Sequence, residues 1–314
     1  MKRLDDILSG AGRILVTGHV RPDGDCVGAC LAVRAYAAAA FPEAQVDVCL
    51  EPFSPTFDFL KGSGDVIAAP EGAYDLVLVL DASSFDRITE SAVPAFQTAG
   101  RTFCIDHHVT NTMFAQETHV EAEASSTCEV LFGLMREDRI DAEIARCLYL
   151  GIVHDTGVFK HSNTGERTMR IAGRLISLGA VPARIIDDTF YAKTFVQNRL
   201  LGRALVRAQL FCDGAIVCSW ISKEDLDREG AGSQDIEGII DQLRVTQGTR
   251  IAVFLYELAL NEWKVSLRAN DTVDVAAVAA EFGGGGHVKA AGCSLSGSLN
   301  DCANTLLERL AQEV

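Results

Sequence analysis

The sequence contains little proline, no long hydrophobic run and no cysteine pair with zinc-site spacing. Seven prolines in 314 residues, with 48% hydrophobic and 23% charged residues, are typical of a globular protein and exclude a disordered or fibrous one. No uninterrupted apolar stretch approaches the roughly 18 residues of a membrane span, so we expect no membrane attachment. Asp5 and Asp6 stand where a signal peptide would have its apolar run, which predicts the absence of a secretory leader.

Positive charge is also scarce. The 28 Lys and Arg residues against 43 Asp and Glu residues give a formal net charge of −15. Since nonspecific binding of nucleic acids depends on Lys and Arg that neutralise phosphates, this charge argues against a protein that coats duplex DNA. The 10 cysteines are expected to be reduced and mostly buried, which predicts a cytoplasmic protein.

Short apolar segments alternate with helical or loop sequence, a pattern typical of an α/β protein with a mainly parallel sheet flanked by helices. The run RILVTG predicts a first strand, and the Ala-rich segment after the next turn predicts a helix. Further buried strands of this sheet are predicted at 46–50, 75–81 and 102–106. Helices are predicted near 126–139, 141–153 and 165–178.

A length of 314 residues suits two domains. The prediction assigns residues 1–188 to the first domain, residues 189–204 to an exposed connecting helix, and residues 205–314 to a smaller α/β domain. Strands of the second domain are expected at 215–221, 250–258 and 263–269. Its helices are expected near 236–243, 273–280 and 299–311.

Three side chains of the kind that bind metals follow the first strand. They are His19, Asp23 and Asp25 in the segment GHVRPDGD. The carboxyl end of a parallel strand is where α/β proteins bind ligands, and the Pro-Asp-Gly sequence favours a tight turn. Two carboxylates and an imidazole this close together are unfavourable unless a cation compensates for their desolvation. The alternative is an exposed polar turn with a capping aspartate.

The other candidate ligands also lie where a strand or helix ends. Asp81 ends the run LVLVL, Asp106 to His108 end the next strand, and Asp155 lies in GIVHDTG. Asp81 or Asp155 alone could equally be a helix cap. Together these side chains exceed what one ion can bind, which predicts two. Ligands without thiolates suit manganese, cobalt, iron or magnesium, and ions roughly 3.5–4 Å apart are typical of phosphoester hydrolysis.

The motifs HVRPDGD, LVLDASS, IDHH and HDTG, in this order, resemble the DHH phosphoesterase superfamily, and FGGGGHVKAAG resembles its DHH-associated domain. Chains of this size are similar to the NrnA group of that superfamily. The resemblance implies a phosphodiesterase and phosphatase that hydrolyses very short oligoribonucleotides to mononucleotides and 3′-phosphoadenosine 5′-phosphate to AMP. It also implies two divalent ions, with manganese favoured, and makes a homodimer plausible.

The resemblance assigns the ligands to two ions that share Asp81. The remaining ligands are His19 and Asp23 for the first ion, and Asp25, His107 and Asp155 for the second. A hydroxide activated by both ions then attacks the phosphorus.

The resemblance gives the other two residues of the triplet separate roles. Asp106 is expected to orient His107 by accepting the second ring N–H of that imidazole. His108 is expected to bind the scissile phosphate and stabilise the charge of the transition state.

In the second domain, Arg268 is expected to grip a terminal phosphate and His287 to add a further contact, so that this domain measures substrate length. The glycines of the last loop would let a phosphate or base approach backbone amides: Gly284, Gly285 and Gly286. The alternatives are a flexible linker for the glycine run and an ordinary solvated strand residue for Arg268.

Three residues near the motifs have no assigned role. His154 and His161 are expected to be surface or internally satisfied histidines rather than further ligands. Arg87 could contact a substrate phosphate or pair with a neighbouring acid.

Other functions remain open. A cyclic di-AMP or pApA phosphodiesterase would use the same residues, and the sequence does not separate it from an oligoribonuclease. An inorganic pyrophosphatase or polyphosphatase is disfavoured by the glycine run and Arg268. An inactive nucleotide sensor predicts gaps in the ligand set, and the sequence has none.

Overall fold

The structure is a computed structural model that describes residues 2–314. These residues form two compact units, of which one ends at Ala192 and the other begins at Lys193. Among the described helices, none combines the length and apolar character needed to cross a membrane.

The first unit contains a five-stranded sheet in which all paired strands run parallel. Its strands are β1 (Arg13–Thr17), β2 (Gln45–Cys49), β3 (Leu76–Leu80), β4 (Arg101–Asp106) and β5 (Glu117–Val120). The order across the sheet is β2-β1-β3-β4-β5. From β1 the chain continues to β2 on one side of the sheet, and from β3 it continues to β4 and β5 on the other side. The strand order therefore changes direction between β1 and β3. Open α/β sheets bind ligands at the carboxyl ends of such a pair.

Helices cover both faces of this sheet, which is why all five residues of β3 are apolar and buried. The helices are α1 (Leu4–Leu8), α2 (Gly24–Ala40), α3 (Val93–Thr98), α4 (Thr127–Leu134), α5 (Ala142–Asp155), α6 (Glu166–Ser177) and α7 (Pro182–Ile186), followed by a π-helical turn at Asp187–Tyr191. Helices α2 and α5 pack closely because Gly28 has no side chain: a Cβ there would lie 2.5 Å from the carbonyl oxygen of Cys147.

The second unit contains a six-stranded mixed sheet with the order β10-β11-β9-β8-β7-β6. Its strands are β6 (Gln209–Phe211), β7 (Ile216–Ile221), β8 (Ile251–Ala259), β9 (Glu262–Ala269), β10 (Gly285–His287) and β11 (Ala290–Ser296). Only β7 and β8 pair in parallel. The helices are α8 (Phe195–Arg207), α9 (Lys223–Glu229), α10 (Ile239–Arg244), α11 (Val275–Glu281) and α12 (Leu299–Leu310).

The two faces of the second sheet differ. One face is covered by α11 and α12, and residues such as Val265 and Leu267 lie in its core. On the other face, α8 and α10 cover the β7 and β8 side, with Phe254 in the core. Lys264, Ser266 and Arg268 point to this second face from β9 and remain at least partly exposed. We call the uncovered part of this face, formed by β9, β11 and β10, the open sheet face.

The predicted fold class is confirmed: a parallel sheet flanked by helices is followed by a smaller α/β unit. The connecting helix predicted at 189–204 is placed differently. Helix α8 begins at Phe195 and belongs to the second unit, because Leu200 and Ala204 are fully buried against its sheet. The helix predicted at 126–139 is shorter and ends at Leu134. Beyond it, the N–H of Arg136 donates to the hydroxyl of Tyr36 rather than to a carbonyl of the helix.

Candidate metal centre

The candidate ligands of the first unit converge at the carboxyl edge of the parallel sheet. They form three overlapping groups in which the ligand atoms lie within 4.8 Å of one another: His19, Asp23 and Asp81; Asp25, His107 and Asp155; and Asp81, His107 and His108. The chain reaches this edge from the ends of β1, β3 and β4 and from the last residue of α5. The structure therefore brings together all six residues predicted as ligands.

The first group is built around His19. Its Nδ1–H donates to the carbonyl oxygen of Val20 over 2.9 Å, which leaves Nε2 facing the carboxylates. Nε2 lies 3.7 Å from Asp23 Oδ1 and 3.5 Å from Asp81 Oδ2. Burial opposes a charge on this imidazole, but the two carboxylates outweigh burial and raise its pKa to about 12. A cation between these atoms would take the place of that proton.

The second group joins β4 to the end of α5. His107 Nε2 lies 3.0 Å from Asp155 Oδ2, while Nδ1–H donates to the carbonyl of Ala124 over 3.4 Å. Burial disfavours protonation of His107, yet Asp155 and the nearby carboxylates raise its pKa to about 10. Asp25 is fully buried, and burial followed by the charges of Asp81 and Asp155 raises its pKa well above the ordinary value.

The donor set fits divalent cations. Within the described residues, the ion pairs of Asp23, Asp81 and Asp155 involve only histidines, with no Lys or Arg. Carboxylates gathered at a mostly buried site without Lys or Arg are unfavourable unless a further cation compensates. Oxygen and imidazole ligands without a thiolate suit hard or intermediate ions such as Mn²⁺.

Asp81 occupies the centre of these contacts. It follows β3 directly and adopts φ 58°, a left-handed conformation that an aspartate tolerates better than most residues. Its N–H donates to the carbonyl of Ile105 over 3.0 Å. Oδ2 faces His19, and Oδ1 lies 3.6 Å from Nε2 of His107. The two carboxylate oxygens thus face different ligand groups.

The expected partner of Asp106 needs correction. The carboxylate of Asp106 makes its hydrogen bond to His108 rather than to His107: Oδ1 accepts the Nδ1–H of His108 over 2.7 Å. Strand β4 ends at Asp106, and both histidines that follow it turn toward Asp81, whose Oδ1 lies 3.6 Å from Nε2 of His107 and 3.7 Å from Nδ1 of His108. The hydrogen bond to Asp106 raises the pKa of His108, and the second ring N–H of His107, on Nδ1, donates to the carbonyl of Ala124 instead of to Asp106.

Asn111 is a site residue that was not predicted. Its Nδ2 donates to Asp106 Oδ2 over 2.7 Å and to the carbonyl of Ala82 over 3.1 Å. Asp106 is therefore held between Asn111 and His108, and the orientation of His108 depends on both. The only indication of this residue in the sequence was an amide side chain three residues after His108, and no periodic pattern distinguishes it.

A cleft of about 320 Å³ opens above these side chains. Its lining combines all members of the ligand groups except Asp25 with three further polar side chains: Ser83, Arg87 and Asn163. His108 keeps 43% of its side chain exposed, and Arg87 is the only Lys or Arg among the described lining residues. Both can meet a bound phosphate.

His154 and His161 lie outside the three ligand groups. His154 packs against Phe57 and Phe190, and its Nε2–H donates to the hydroxyl of Thr189 over 3.0 Å. Burial lowers its pKa to about 4, so the ring is neutral. His161 is exposed, and its Nδ1 lies 3.3 Å from the carbonyl oxygen of Asp155.

The candidate substrate residues of the second unit lie on the open sheet face. His287, Ala290 and Arg268 are aligned across β10, β11 and β9, so their side chains share this face. The guanidinium of Arg268 has Nε 3.5 Å from Asp241 Oδ1 and lines a cleft of about 440 Å³. A second cleft of about 550 Å³ shares Tyr256 and Ser266 with the first.

The glycine run is a strand, not a linker, because Gly285–His287 form β10. A Cβ at Gly284 would lie 2.1 Å from the carbonyl oxygen of Gly292, and one at Gly286 would lie 2.5 Å from that of Ala290. Packing between β10 and β11 therefore requires these two glycines. Gly285 has open space around it and lines the larger cleft.

Comparison with known proteins gives matches for both units. Residues 13–152 match the DHH family, N-terminal domain, and residues 213–314 match the DHHA1 domain. A bifunctional oligoribonuclease and PAP phosphatase NrnA from Thermus thermophilus is 28% identical over 100% of this chain and 94% of its own length. A protein of the same name from Bacillus subtilis is 28% identical over 90% of this chain and 89% of its own length.

A solved structure is also similar over nearly the whole chain. The crystal structure of an exopolyphosphatase-related protein from Bacteroides fragilis matches with a TM-score of 0.81 and 25% identity. The match covers 97% of this chain and 93% of that protein.

Proposed function

We propose that this chain, whose two units match the DHH family, N-terminal domain and the DHHA1 domain, is a metal-dependent phosphoesterase. Its substrates are very short oligoribonucleotides, hydrolysed to mononucleotides, and 3′-phosphoadenosine 5′-phosphate, hydrolysed to AMP. The observation that carries the proposal is the convergence of six imidazole and carboxylate side chains, five of which line one cleft while Asp25 is buried. The similarity to two proteins named as oligoribonuclease and PAP phosphatase supports this choice of substrates.

The ligand groups would hold two divalent cations, and we propose manganese. His19 and Asp23 would hold one cation and Asp25, His107 and Asp155 the other, and Asp81, which belongs to groups with His19 and with His107, would contribute to both. When bound, such a pair supplies an activated water and neutralises charge on the phosphate. The lack of thiolate ligands favours manganese over zinc.

The residues around the cleft bind and orient the phosphate. Nδ1 of His108 is engaged by Asp106, which leaves Nε2–H as the donor to a phosphate oxygen. Asp106 favours the protonated ring, because its hydrogen bond raises the pKa of His108. Arg87 adds a fixed positive charge at the same cleft. Both groups stabilise the negative charge that develops during hydrolysis.

We further propose that the open sheet face binds the part of the substrate that does not react. Arg268 would bind a terminal phosphate, with its ion pair to Asp241 exchanged for the ligand. His287 would add a contact from the same row of the sheet. The space around Gly285 would let a base or phosphate approach its backbone. Gly284 and Gly286 are instead needed for the close packing of β10 against β11.

Location and assembly are further parts of the proposal. All ten cysteines are free thiols and nine are buried, which supports a reducing compartment such as the cytoplasm. A homodimer and the lack of binding to duplex DNA stay predictions, the first from the resemblance and the second from the net charge.

The test is a substrate panel with the full chain and Mn²⁺. We expect kcat/KM to be higher for 3′-phosphoadenosine 5′-phosphate and for RNA of two to seven nucleotides, including the dinucleotide pApA, than for cyclic di-AMP and pyrophosphate. Chelation and Asp81→Asn should abolish turnover, while Asp86→Asn, at an exposed acid nearby, should not. A preference for pyrophosphate or cyclic di-AMP would refute the substrate assignment. Full activity in chelator would refute the metal centre.

A further inference from the structure

Thr127, the first residue of α4, contacts carboxylates from both proposed ion sites. It has no solvent exposure. Its hydroxyl donates to Asp81 Oδ1 over 3.0 Å, and its N–H donates to Asp25 Oδ2 over 2.7 Å. The next N–H, that of Cys128, donates to Asp25 Oδ1 over 3.0 Å. One residue thus links the shared carboxylate to a ligand of the second ion.

The first turn of α4 is arranged so that these donors are available. Ser126 caps the helix by accepting the N–H of Glu129 over 3.1 Å. The carboxylate of Glu129 accepts the hydroxyl of Ser125 over 2.6 Å and lies 3.3 Å from Nε of Arg167. Because the cap uses only the N–H of Glu129, the N–H groups of residues 127 and 128 are free to donate to Asp25.

We propose that Thr127 is a positioning residue for the metal centre, where its hydroxyl fixes the plane of the Asp81 carboxylate. With Oδ1 held by the hydroxyl, Oδ2 faces His19 at 3.5 Å and Oδ1 stays 3.6 Å from His107. The carboxylate can then serve both ions at once. This role rests on the proposed metal centre, because without bound ions the hydrogen bond would be only structural.

The hydroxyl can be removed without removing the N–H. Thr127→Val keeps the branched shape and the backbone donor to Asp25 but lacks the donor to Asp81. Hydrogen-bond partners of metal ligands typically contribute about 10–100-fold to metal affinity or activity. We expect Thr127→Val to weaken Mn²⁺ binding by about that factor, and Thr127→Ser, which keeps the hydroxyl, to bind within about threefold of the wild type.

The experiment is a Mn²⁺ titration of the full chain, followed through the electron paramagnetic resonance signal of free Mn²⁺. The matched control is Thr102→Val, which removes a buried hydroxyl at the opposite end of β4, where it accepts the N–H of Gln116. Both valine variants should melt at similar temperatures in chelator, but only Thr127→Val should lose affinity. In saturating Mn²⁺, its kcat should fall more than its KM rises.

Each outcome of this titration either supports or overturns the positioning role of Thr127. Wild-type affinity for two Mn²⁺ in Thr127→Val, or equal weakening in Thr102→Val, would overturn the positioning role while leaving the metal centre intact. If the wild-type chain binds no Mn²⁺, the proposed centre itself fails and this role with it. If Thr127→Val does not fold, Thr127→Ala, which has no added bulk, provides the same comparison with Thr127→Ser.

Discussion

At the scale of single residues, Asp25 has the most demanding environment in the first unit. Its carboxylate is fully buried and shares its surroundings with Asp81 and Asp155. Two backbone N–H groups of α4 donate to it, but they carry no net charge to balance three acids. A buried charge of this kind persists where a cation compensates for it. We therefore expect cation binding to depend on the space around Asp25 as much as on its hydrogen bonds.

Gly151 provides that space, and Gly151→Ala tests it. A Cβ at this position would lie 2.4 Å from Asp25 Oδ1 and 2.3 Å from Cys128 Sγ. We expect a loss of about 1–3 kcal/mol in unfolding free energy from overpacking, together with weaker Mn²⁺ binding. The control is Gly173→Ala on α6, where a Cβ meets nothing within 4 Å and should stabilise the helix by up to about 1 kcal/mol. Thermal melts and Mn²⁺ titrations of both variants measure the difference, and equal effects would contradict it.

His154 predicts a pH dependence of stability. Burial lowers its pKa from 6.5 to about 4 in the folded protein, so the unfolded chain takes up a proton at a higher pH than the folded one. The stabilising contribution is complete above about pH 6.5 and is lost as the pH falls to about 4, a total of about 3 kcal/mol.

Replacing the ring isolates this effect. His154→Phe keeps an aromatic ring against Phe57 and Phe190 but cannot titrate. We expect the difference in unfolding free energy between variant and wild type to shift in favour of the variant as the pH falls from 7 to 4.5 in urea melts. A constant difference across this range would mean that His154 is not held neutral.

At the scale of secondary-structure elements, parallel strands explain why the ligands could be predicted. Strands β1, β3 and β4 end at the same edge, so polar residues that follow them must lie near one another. The pairing of Asp106 with His108 could not be predicted, because both histidines follow the end of β4, where strand alternation no longer fixes the direction of a side chain. The resemblance to the family pointed to the other pair, and the structure corrects it.

Other features depend on contacts that no local pattern encodes. Thr127 meets Asp81 across 46 residues of sequence, and the helix that carries it starts in an unremarkable run of serines. Helix α8 was predicted to be an exposed connecting helix, but Leu200 and Ala204 on its buried side pack against the second sheet. Strand β10 was hidden by its glycines, which are poor strand formers without their partner β11.

Gly284, just before β10, and Gly285, the first residue of β10, allow strand packing and substrate binding to be tested separately. Gly284→Ala places a Cβ 2.1 Å from the carbonyl oxygen of Gly292, so we expect a loss of about 1–3 kcal/mol in unfolding free energy. Gly285→Ala meets nothing within 4 Å and should change stability by less than about 0.5 kcal/mol. If the open sheet face binds substrate, Gly285→Ala should raise KM without changing kcat. Unchanged KM in Gly285→Ala would argue against binding at this edge.

At the scale of the whole molecule, the two units carry different chemistry. All three ligand groups belong to the first unit, while the candidate phosphate contacts Arg268 and His287 belong to the second. The net charge of −15 disfavours long polyanions, so local basic groups rather than a basic surface must hold a phosphate. A short substrate needs few such groups, which agrees with the proposed preference for very short RNA.

This division predicts that metal binding stabilises the first unit alone. Each ion that binds only the folded state adds about 2.7 kcal/mol when free metal is about 100 times Kd. Hydrogen exchange followed by mass spectrometry, with Mn²⁺ and with chelator, should therefore show slower exchange in peptides of residues 2–192. The segments that hold the ligands should respond most, namely the start of α2, the end of β4 and the end of α5. Equal slowing in the strands of the second unit would mean that the ions bind elsewhere, because no predicted ligand lies beyond Asp155.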